Sequence, residues 1–407
     1  MGQLYLEPWM RRCERDNMNR DGMIRKKAVL FLHAGAEWYG ADKVLFNTIT
    51  ALKEHWECHV LLPNVGILVE KFADLGVTVQ VFAYPILRRK HFTLSGIIRF
   101  LGEYLIAVLR LFGYVRKHRI HCVCAHTFAV TEGVALALLG VPQVWHVLEI
   151  ITKPRSLNRF LALAARTTAA KIICASRAVQ ENLGAPPNSV VIYHGIDPLS
   201  EGARPRTLRT GVPVVVGMLG RFNHWKGQDH LVLAVNQLLH RRGASYTIGK
   251  AIMVGGVFEN DTAALERVVF LIGESLDPDI FEIRGFTEDI SSVYDEIDLY
   301  VLPSTLPDPF PTVVLEAMSM GIPVVGYRHG GIVEMLDGMS GVLAEPCSTD
   351  ALAAVIDTAL SHEDVYNGMA RVCYEKYNAS YKLSAFQATV RSVFDGLLMK
   401  QKHQHSK

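Results

Sequence analysis

The sequence predicts an α/β protein with two Rossmann-like, doubly wound domains. Its 407 residues exceed the usual size of one hydrophobic core, which favours two domains of about 200 residues each. Half of the residues are apolar, a fifth are charged, and 32 glycines interrupt the chain. Apolar runs typical of buried strands alternate with segments of helical period. This alternation is typical of parallel sheets covered by helices.

Composition divides the chain into five segments. Residues 1–25 are charged and have no hydrophobic period, which predicts a flexible tail. Residues 26–200 and 214–380 each show the strand and helix alternation of a Rossmann-like domain. Residues 198–213, PLSEGARPRTLRTGVP, are rich in Pro, Gly, Ser and Arg and have no period, so we place a linker at 201–213. The remaining segment, 381–407, is predicted as a C-terminal helix and tail.

Charge and cysteine usage exclude several functional classes. The net charge of +2 provides no overall attraction to nucleic acid. The seven cysteines are scattered, and the closest pair, Cys122 and Cys124, lies in an apolar strand pattern rather than a metal-binding spacing. The longest apolar segment, 101–115, contains Glu103 and Arg110 and is shorter than the roughly 20 residues of a membrane span. We therefore expect a cytoplasmic protein without a transmembrane helix.

The stretch from Val301 to Val325, VLPSTLPDPFPTVVLEAMSMGIPVV, is predicted as the centre of the second domain. An apolar strand leads into a loop rich in Pro and Ser, and a helix follows with Pro311 in its first turn. Two carboxylates bracket the end of this strand, since Asp308 lies in the loop and Glu316 lies in the helix. In such parallel units, ligands bind beyond the carboxyl ends of the strands.

A phosphate site is predicted at the start of the same domain. The segment VVVGMLGRFNHWKGQ is an apolar strand followed by a loop with Arg221 and Lys226 and then by a helix. Two cations and free helix amides therefore converge, as expected for a diphosphate site. Gly330 and Gly331, which follow a later strand, can add backbone amides to an anion nest.

The first domain offers weaker signals. The strand AVLFLH, the loop AGAEWYGAD and the next helix form an arrangement that admits a diphosphate near the backbone. Later strands end at His126 and His146, with Glu149 close behind. A single histidine at a strand end is more often a structural residue than a catalytic one, so the residues alone leave both histidines open.

The segment from Leu87 to Arg119 is apolar and helical in period, with basic clusters at both ends. Such a segment can lie in a bilayer interface and bind anionic lipid. The alternative is two ordinary helices that pack on a sheet and expose their charges. The membrane hypothesis assigns binding to six cations: Arg88, Arg89, Lys90, Arg116, Lys117 and Arg119.

Three segments of the sequence resemble motifs of one family. DPFPTVVLEAMSMGIPVV resembles the signature EPFGLVLLEAMACGTPVV of the retaining, nucleotide-sugar-dependent glycosyltransferases of family 4, which have the GT-B fold. Glu316 matches the second acid of that signature, and Asp308 replaces the first glutamate. GRFNHWKG resembles the family's donor-phosphate motif G-R-x-x-x-x-K-G. VVIYHGIDP resembles its interdomain turn V-x-N-G-I-D, with His194 in place of Asn.

The resemblance implies two Rossmann-like domains that face each other across a cleft, with a C-terminal helix crossing back to the first. It implies that Arg221 and Lys226 stabilise the leaving diphosphate without a tightly bound metal. Asp308 would position sugar hydroxyls, Glu316 would bind the ribose diol, and His146 would reach the transferred sugar. The donor-binding residues implied are Gly40, Gly220, Phe286, Phe310, Pro311, Thr312, Val313, Gly330 and Gly331.

The resemblance also implies the partners. These are a nucleoside diphosphate sugar donor and a saccharide or lipid-linked saccharide acceptor, used in polysaccharide or lipopolysaccharide assembly. The place of action would be the cytoplasm, in part at the inner face of the plasma membrane. Two alternatives stay open: an epimerase of nucleotide sugars with the GT-B fold, and a non-catalytic protein that binds a nucleotide sugar or serves as a membrane scaffold.

Overall fold

The computed structural model describes residues 26–87, 93–209, 211–241, 245–257 and 262–403. The chain forms two compact units, one extending to His194 and including the residues from Phe386 onward, the other comprising Gly195–Ala385. The second unit therefore begins before the segment predicted as the linker. The predicted N-terminal tail lies outside the described residues.

The first unit is built around a seven-stranded parallel sheet with the order β3-β2-β1-β4-β5-β6-β7. In chain order its elements are β1 (Lys27–Leu32), α1 (Gly40–Leu52), β2 (Trp56–Leu62), α2 (Ile67–Asp74), β3 (Thr78–Val81), α3 (Leu94–Lys117), β4 (Ile120–His126), α4 (Glu132–Leu138), β5 (Gln143–Val147), α5 (Arg155–Thr168), β6 (Ala169–Cys174), α6 (Arg177–Asn182) and β7 (Ser189–Val191). Strands β1, β4 and β5 are almost wholly buried because helices cover both faces of the sheet.

The second unit contains a six-stranded parallel sheet with the order β10-β9-β8-β11-β12-β13. Its elements are β8 (Val214–Leu219), α7 (Gln228–Leu239), β9 (Ile248–Val254), α8 (Ala263–Gly273), β10 (Phe281–Arg284), α9 (Ile290–Glu296), β11 (Leu299–Leu302), α10 (Thr312–Ser319), β12 (Val324–Tyr327), α11 (Ile332–Met335), β13 (Leu343–Ala344), α12 (Thr349–Ser361) and α13 (Glu363–Ser380). The strands follow one another outward from β8 to β10 and then in the opposite direction from β11 to β13.

The C-terminal helix α14 (Leu383–His403) begins in the second unit and belongs to the first from Phe386 onward. The Phe394 ring packs 6.3 Å from the Phe31 ring and 5.9 Å from the Trp56 ring. The prediction of two Rossmann-like parallel-sheet domains with a returning C-terminal helix is therefore confirmed.

The amphipathic segment of the first unit is one helix, α3, and not two. Thr93 caps its N-terminus by accepting a hydrogen bond from the Gly96 amide at 3.1 Å. The described part of the segment is therefore one helix and not the two that the alternative to membrane binding supposed, and the choice between simple packing on the sheet and membrane binding stays a prediction. Arg88, Arg89 and Lys90 lie outside the described residues. No helix within the described part of the chain has the length and apolar character needed to cross a membrane.

Candidate functional site

The strand order of the second unit brings three predicted loops to one edge of its sheet. The chain reverses its direction of growth between β8 and β11, which are neighbours. Ligands of doubly wound sheets bind at this kind of switch point, beyond the carboxyl ends of the strands. Arg221 follows β8, Asp308 follows β11, and Gly330 follows the adjacent strand β12. Residues far apart in the chain therefore share one candidate site.

The loop that carries Lys226 is held by local hydrogen bonds. The Asn223 side-chain oxygen accepts from the amides of Trp225 at 3.1 Å and Lys226 at 3.0 Å. Gly227 then begins α7 with a φ of 80°, and a Cβ at this position would overlap the Pro303 carbonyl oxygen. Glycine is required here for two reasons, the left-handed backbone and the close approach of another loop. The N-terminus of α7 is thereby placed beside Lys226.

Lys226 and Asp308 form a partly buried ion pair. The Lys226 ammonium lies 2.7 Å from Asp308 Oδ2, and the two side chains are only 17% and 11% exposed. The ammonium also lies 4.3 Å from the centre of the Trp225 ring. The predicted phosphate cation and the predicted sugar-binding acid are thus direct neighbours. The resemblance assigned them separate roles and did not indicate this contact.

The turn after β12 packs on the backbone of Asp308. Gly331 donates its amide hydrogen to the Asp308 carbonyl oxygen at 2.8 Å. Gly330 has a φ of 67°, and a Cβ there would overlap the same carbonyl oxygen. The two glycines therefore lie next to the Lys226–Asp308 pair, as an anion nest beside this cation would require.

Glu316 is buried in the first turns of α10. Its Oε2 lies 3.0 Å from the Tyr294 hydroxyl, which also lies 2.9 Å from the Val313 carbonyl oxygen. Burial and the adjacent Glu316 carboxylate raise the pKa of Tyr294 well above its ordinary value. Tyr294 therefore stays protonated, and it orients Glu316 from the neighbouring helix α9.

The remaining predicted donor residues of this unit are divided between the switch point and its periphery. Phe310 is buried with its ring 5.6 Å from the Tyr381 ring, and Pro311 is the N-cap residue of α10. Thr312 and Val313 form the first turn of that helix, and Gly220 directly follows β8. Phe286 follows β10, two strands away from β8, and is 53% exposed.

Two polar residues at this site were missed. Gln228, in the first turn of α7, donates from Nε2 to the carbonyl oxygens of Gly220 at 3.2 Å and Arg221 at 3.1 Å. Ser304 follows β11, and its buried Oγ has no hydrogen-bond partner among the described residues. A buried polar atom of this kind normally has a partner. The available sequence signal was the position of Ser304 directly after the strand, four residues before Asp308.

The first unit brings histidines together at its own switch point, between β1 and β4. His33 directly follows β1, His126 ends β4, and His146 lies in β5. The rings of His33 and His126 are 4.9 Å apart, and those of His126 and His146 are 4.8 Å apart. His194 continues the row, with its ring 6.1 Å from that of His146. His126 and His146, the two histidines that the sequence left open as candidates, are therefore in contact with each other.

An aspartate orients this row. Asp42, near the start of α1, accepts from the Tyr39 amide at 2.9 Å and lies 2.9 Å from His33 Nε2. The predicted Gly40 lies between Tyr39 and Asp42. With His33 neutral, its Nε2–H donates to Asp42, and its Nδ1 accepts from His126 Nδ1–H at 3.1 Å. This pattern leaves His126 Nε2 as an acceptor, and it has no partner among the described residues.

Burial keeps His126, His146 and His194 uncharged. Desolvation, followed by repulsion from the neighbouring histidines, lowers the pKa of His126 and His146 well below the ordinary value. Burial alone lowers the pKa of His194 to about 3. Glu149 accepts hydrogen bonds from the amides of Phe128 and Leu148, and burial raises its pKa. Glu149 therefore holds the loop after β4 in place.

Among the residues that the structure describes, no group of three or more His, Cys, Asp or Glu side chains is arranged to hold a metal ion. The Cys122 and Cys124 thiols are buried in β4, and desolvation raises their pKa, to about 12 for Cys122. The switch point of the second unit instead combines a cation, helix amides and the amide of Gly330. Chemically, this combination can bind an anion with two or more oxygens.

Two family models match the chain. The model described as Glycosyltransferase Family 4 matches residues 38–198. The model described as Glycosyl transferases group 1 matches residues 213–362. The first match covers most of the first unit, and the second covers most of the second unit. Both switch points described above lie at least in part within the matched residues.

Curated proteins and solved structures agree with these matches. An uncharacterized glycosyltransferase of Methanocaldococcus jannaschii is 27% identical over 233 residues, which are 51% of this chain and 56% of that protein. Lipopolysaccharide 1,2-N-acetylglucosaminetransferase of Salmonella typhimurium is 28% identical over 185 residues, covering 43% and 48%. The chain thus spans about half the length of these relatives. Anabaena HepE in complex with UDP-glucose superposes with a TM-score of 0.74 at 21% identity, covering 91% of this chain and 99% of that chain.

Proposed function

The chain belongs to the family 4 glycosyltransferases, which have the GT-B fold, and on that premise we propose that it is a retaining transferase. It moves a hexose-type sugar from a nucleoside diphosphate to an acceptor hydroxyl. The observation that carries this proposal is the contact of Lys226 with Asp308 at the switch point of the second unit, 2.7 Å apart beside the N-terminus of α7.

The charge at this site matches the chemistry of donor cleavage. When the bond between sugar and phosphate breaks, negative charge grows on the leaving diphosphate. Lys226, Arg221, the first amides of α7 and the amide of Gly330 are preorganised donors for that charge, whereas the Gly331 amide is bonded to the Asp308 carbonyl oxygen and fixes the turn. An ammonium that is already placed need not reorganise during the reaction. The same residues therefore bind the donor and lower the barrier to its departure.

Asp308 and Glu316 recognise the neutral parts of the donor. Phosphate oxygens can replace Asp308 as the counter-ion of Lys226, and the Asp308 carboxylate then accepts hydrogen bonds from sugar hydroxyls. Glu316, oriented by Tyr294, binds the ribose diol. In the first unit, His146 reaches the transferred sugar, and the acceptor nitrogen of His126 lies in the same row.

The names of two similar proteins guide the choice of donor and acceptor. HepE was solved with UDP-glucose, so a UDP-hexose is the first donor to test. The Salmonella relative is a lipopolysaccharide N-acetylglucosaminetransferase, which supports a saccharide or lipid-linked saccharide acceptor. We place the reaction in the cytoplasm, at the inner face of the plasma membrane.

The test is a panel of nucleotide sugars, measured first for binding by thermal shift and then for hydrolysis and transfer. At least one donor should be turned over, and the product should keep the anomeric configuration in an NMR spectrum. Arg221→Ala should lower turnover by about a hundredfold or more. Lys250→Ala, which removes an exposed cation paired with Glu282 in the same unit, is the matched control and should not.

Other outcomes favour the alternatives. Binding without hydrolysis or transfer would identify a non-catalytic nucleotide-sugar-binding protein. Conversion of the donor to an isomer without an acceptor would identify an epimerase. Inversion at the anomeric carbon would contradict the retaining mechanism.

A further inference from the structure

Helix α3 has an apolar stripe on its outer side. Val108, Leu111 and Val115 are buried and form its inner face. The outer stripe consists of Ile98, Leu101, Leu105 and Leu109, which are 65%, 58%, 61% and 63% exposed. Their spacing of three and four residues places them on one face. A surface helix of a globular protein normally exposes polar residues on this side, so the stripe needs an explanation.

The two neighbouring helices also expose large apolar side chains. In a right-handed doubly wound unit, α3, α4 and α5 cover the same face of the sheet, and α4 packs against both of the others. Leu138, at the end of α4, is 70% exposed, and Phe160 and Leu163 on α5 are 66% and 60% exposed. Exposed large apolar residues on three adjacent helices mark an interaction surface rather than scattered exceptions.

The charge on these three helices is strongly biased. The exposed acid on them is Glu103, which pairs with Arg99 at 2.7 Å, whereas Glu132 is buried. The exposed cations are Arg99, Arg110, Arg116 and Lys117 on α3 and Arg155, Arg159 and Arg166 on α5. Exposed apolar residues on helices that carry an excess of exposed cations complement an anionic lipid bilayer, which offers a hydrocarbon interior below a negative surface.

We infer that this outer face of α3, α4 and α5 is the membrane-binding surface of the protein, and that its apolar side chains insert among anionic lipids. The charged residues Arg99, Glu103 and Arg110 occur along the length of the stripe, so α3 lies in the plane of the interface and does not cross the bilayer. A second copy of the chain is disfavoured as the occupant, because a two-fold contact would place the same cations against each other.

The surface on α3, α4 and α5 specifies how the protein would reach the membrane location proposed above. Its role in bringing the enzyme to a lipid-linked acceptor rests on the proposed function, whereas lipid binding itself does not. The surface adds insertion of named apolar residues to an attraction that was predicted from cations alone. Attraction by cations is screened by salt, whereas apolar insertion is not. The two contributions can therefore be measured separately.

The experiment measures partition of the full-length protein onto phosphatidylcholine vesicles with and without phosphatidylglycerol, at low and high salt. The insertion variant carries Leu101→Gln, Leu105→Gln and Leu109→Gln. It should lower the partition coefficient onto anionic vesicles by about a hundredfold or more, at both salt concentrations. A charge variant with Arg110→Gln, Arg116→Gln and Lys117→Gln should lose binding mainly at low salt, by about fivefold per cation.

The matched control is Val269→Gln with Phe270→Gln. These residues lie on α8 of the second unit and are 54% and 65% exposed. The control should bind vesicles as the wild type does, and circular dichroism should show that all variants are folded. The inference is overturned if the wild type stays in solution, or if the insertion variant binds as well as the control. It is also overturned if sedimentation shows a wild-type dimer that the insertion variant converts to monomer and neither protein binds vesicles.

Donor turnover with a soluble acceptor is measured on the same samples without vesicles. A wild type that turns over donor but ignores vesicles would refute this inference and leave the proposed function intact. A wild type that binds vesicles as described, yet turns over no donor, would refute the proposed function and support the membrane surface.

Discussion

Replacement of His194 tests whether this buried imidazole is uncharged in the folded protein. Burial lowers the pKa of His194 to about 3 in the folded state, against an ordinary value of about 6.5 in the unfolded chain. Below pH 6.5 His194 therefore binds a proton in the unfolded chain but stays unprotonated in the folded protein. Unfolding is favoured as the pH falls through this range, and His194→Asn removes that contribution.

The magnitude follows from the two pKa values. Between pH 7.0 and 5.5, one histidine that titrates only in the unfolded state lowers the free energy of unfolding by about 1.3 kcal/mol. The pH dependence of the wild-type free energy of unfolding has a further contribution, because burial raises the pKa of Glu132 to about 8. The folded state then holds a proton that the unfolded state lacks, and stability increases as the pH falls from 8 towards 4.5. Comparison of variant with wild type isolates His194.

Urea unfolding followed by circular dichroism, at pH 7.0 and 5.5, measures the effect. His194→Asn should keep about 1.3 kcal/mol more of its stability over this interval than the wild type does. His55→Asn, which removes an exposed imidazole in the same unit, is the matched control. Equal pH dependence of His194→Asn and wild type would show that the folded protein protonates His194, and would refute the description of a buried neutral imidazole.

Three further predictions concern the second unit. Lys226→Ala should lower turnover of the best donor by about a hundredfold or more in a steady-state assay; unchanged turnover would remove Lys226 from the site. Asp308→Ala should abolish most transfer, whereas Asp308→Glu, which restores the family residue, should retain it and shift donor preference in the nucleotide-sugar panel. Gly330→Ala should reduce both turnover and the urea midpoint, because its Cβ would overlap the Asp308 carbonyl oxygen. Gly338 has a similar positive φ but open space around it, so Gly338→Ala is the control. A loss of equal size in that variant would show that Gly330→Ala acts through backbone strain and not through the overlap with Asp308.

The candidate site of the second unit could be proposed from the sequence because its residues lie in contiguous stretches. A strand, a loop with Arg221 and Lys226, and a helix N-terminus form one continuous segment, so local pattern alone predicts a phosphate site. Asp308 and Glu316 are similarly close in the chain. The contact between Lys226 and Asp308 could not be predicted in this way, since 82 residues separate them. Their proximity depends on β11 pairing with β8 and not with β10.

The first unit was less predictable for the same reason. His33, His126 and His194 lie at the ends of three different strands or just after them, far apart in the chain. Each one alone resembles an ordinary buried histidine. A common signal was present, because the strands AVLFLH and HCVCAH both end in histidine and both adjoin the switch point. This signal predicts a histidine cluster only when it is known that β1 and β4 are neighbours in the sheet. The period of α3 likewise indicated an apolar helix, but period alone cannot distinguish the buried stripe from the exposed one.

If the switch point binds the donor as proposed, its ion pair relates phosphate recognition to sugar recognition. An ammonium and a carboxylate that are mostly withdrawn from water stabilise each other, and removal of either partner leaves a costly unpaired charge. A diphosphate is the stronger counter-ion for Lys226, because it brings more negative charge and adds bonds to the helix amides. When it displaces Asp308, the carboxylate needs new hydrogen-bond donors, and the hydroxyls of an attached sugar provide them. A nucleoside diphosphate without its sugar would not supply those donors, so the proposed site should favour the intact donor over the spent product.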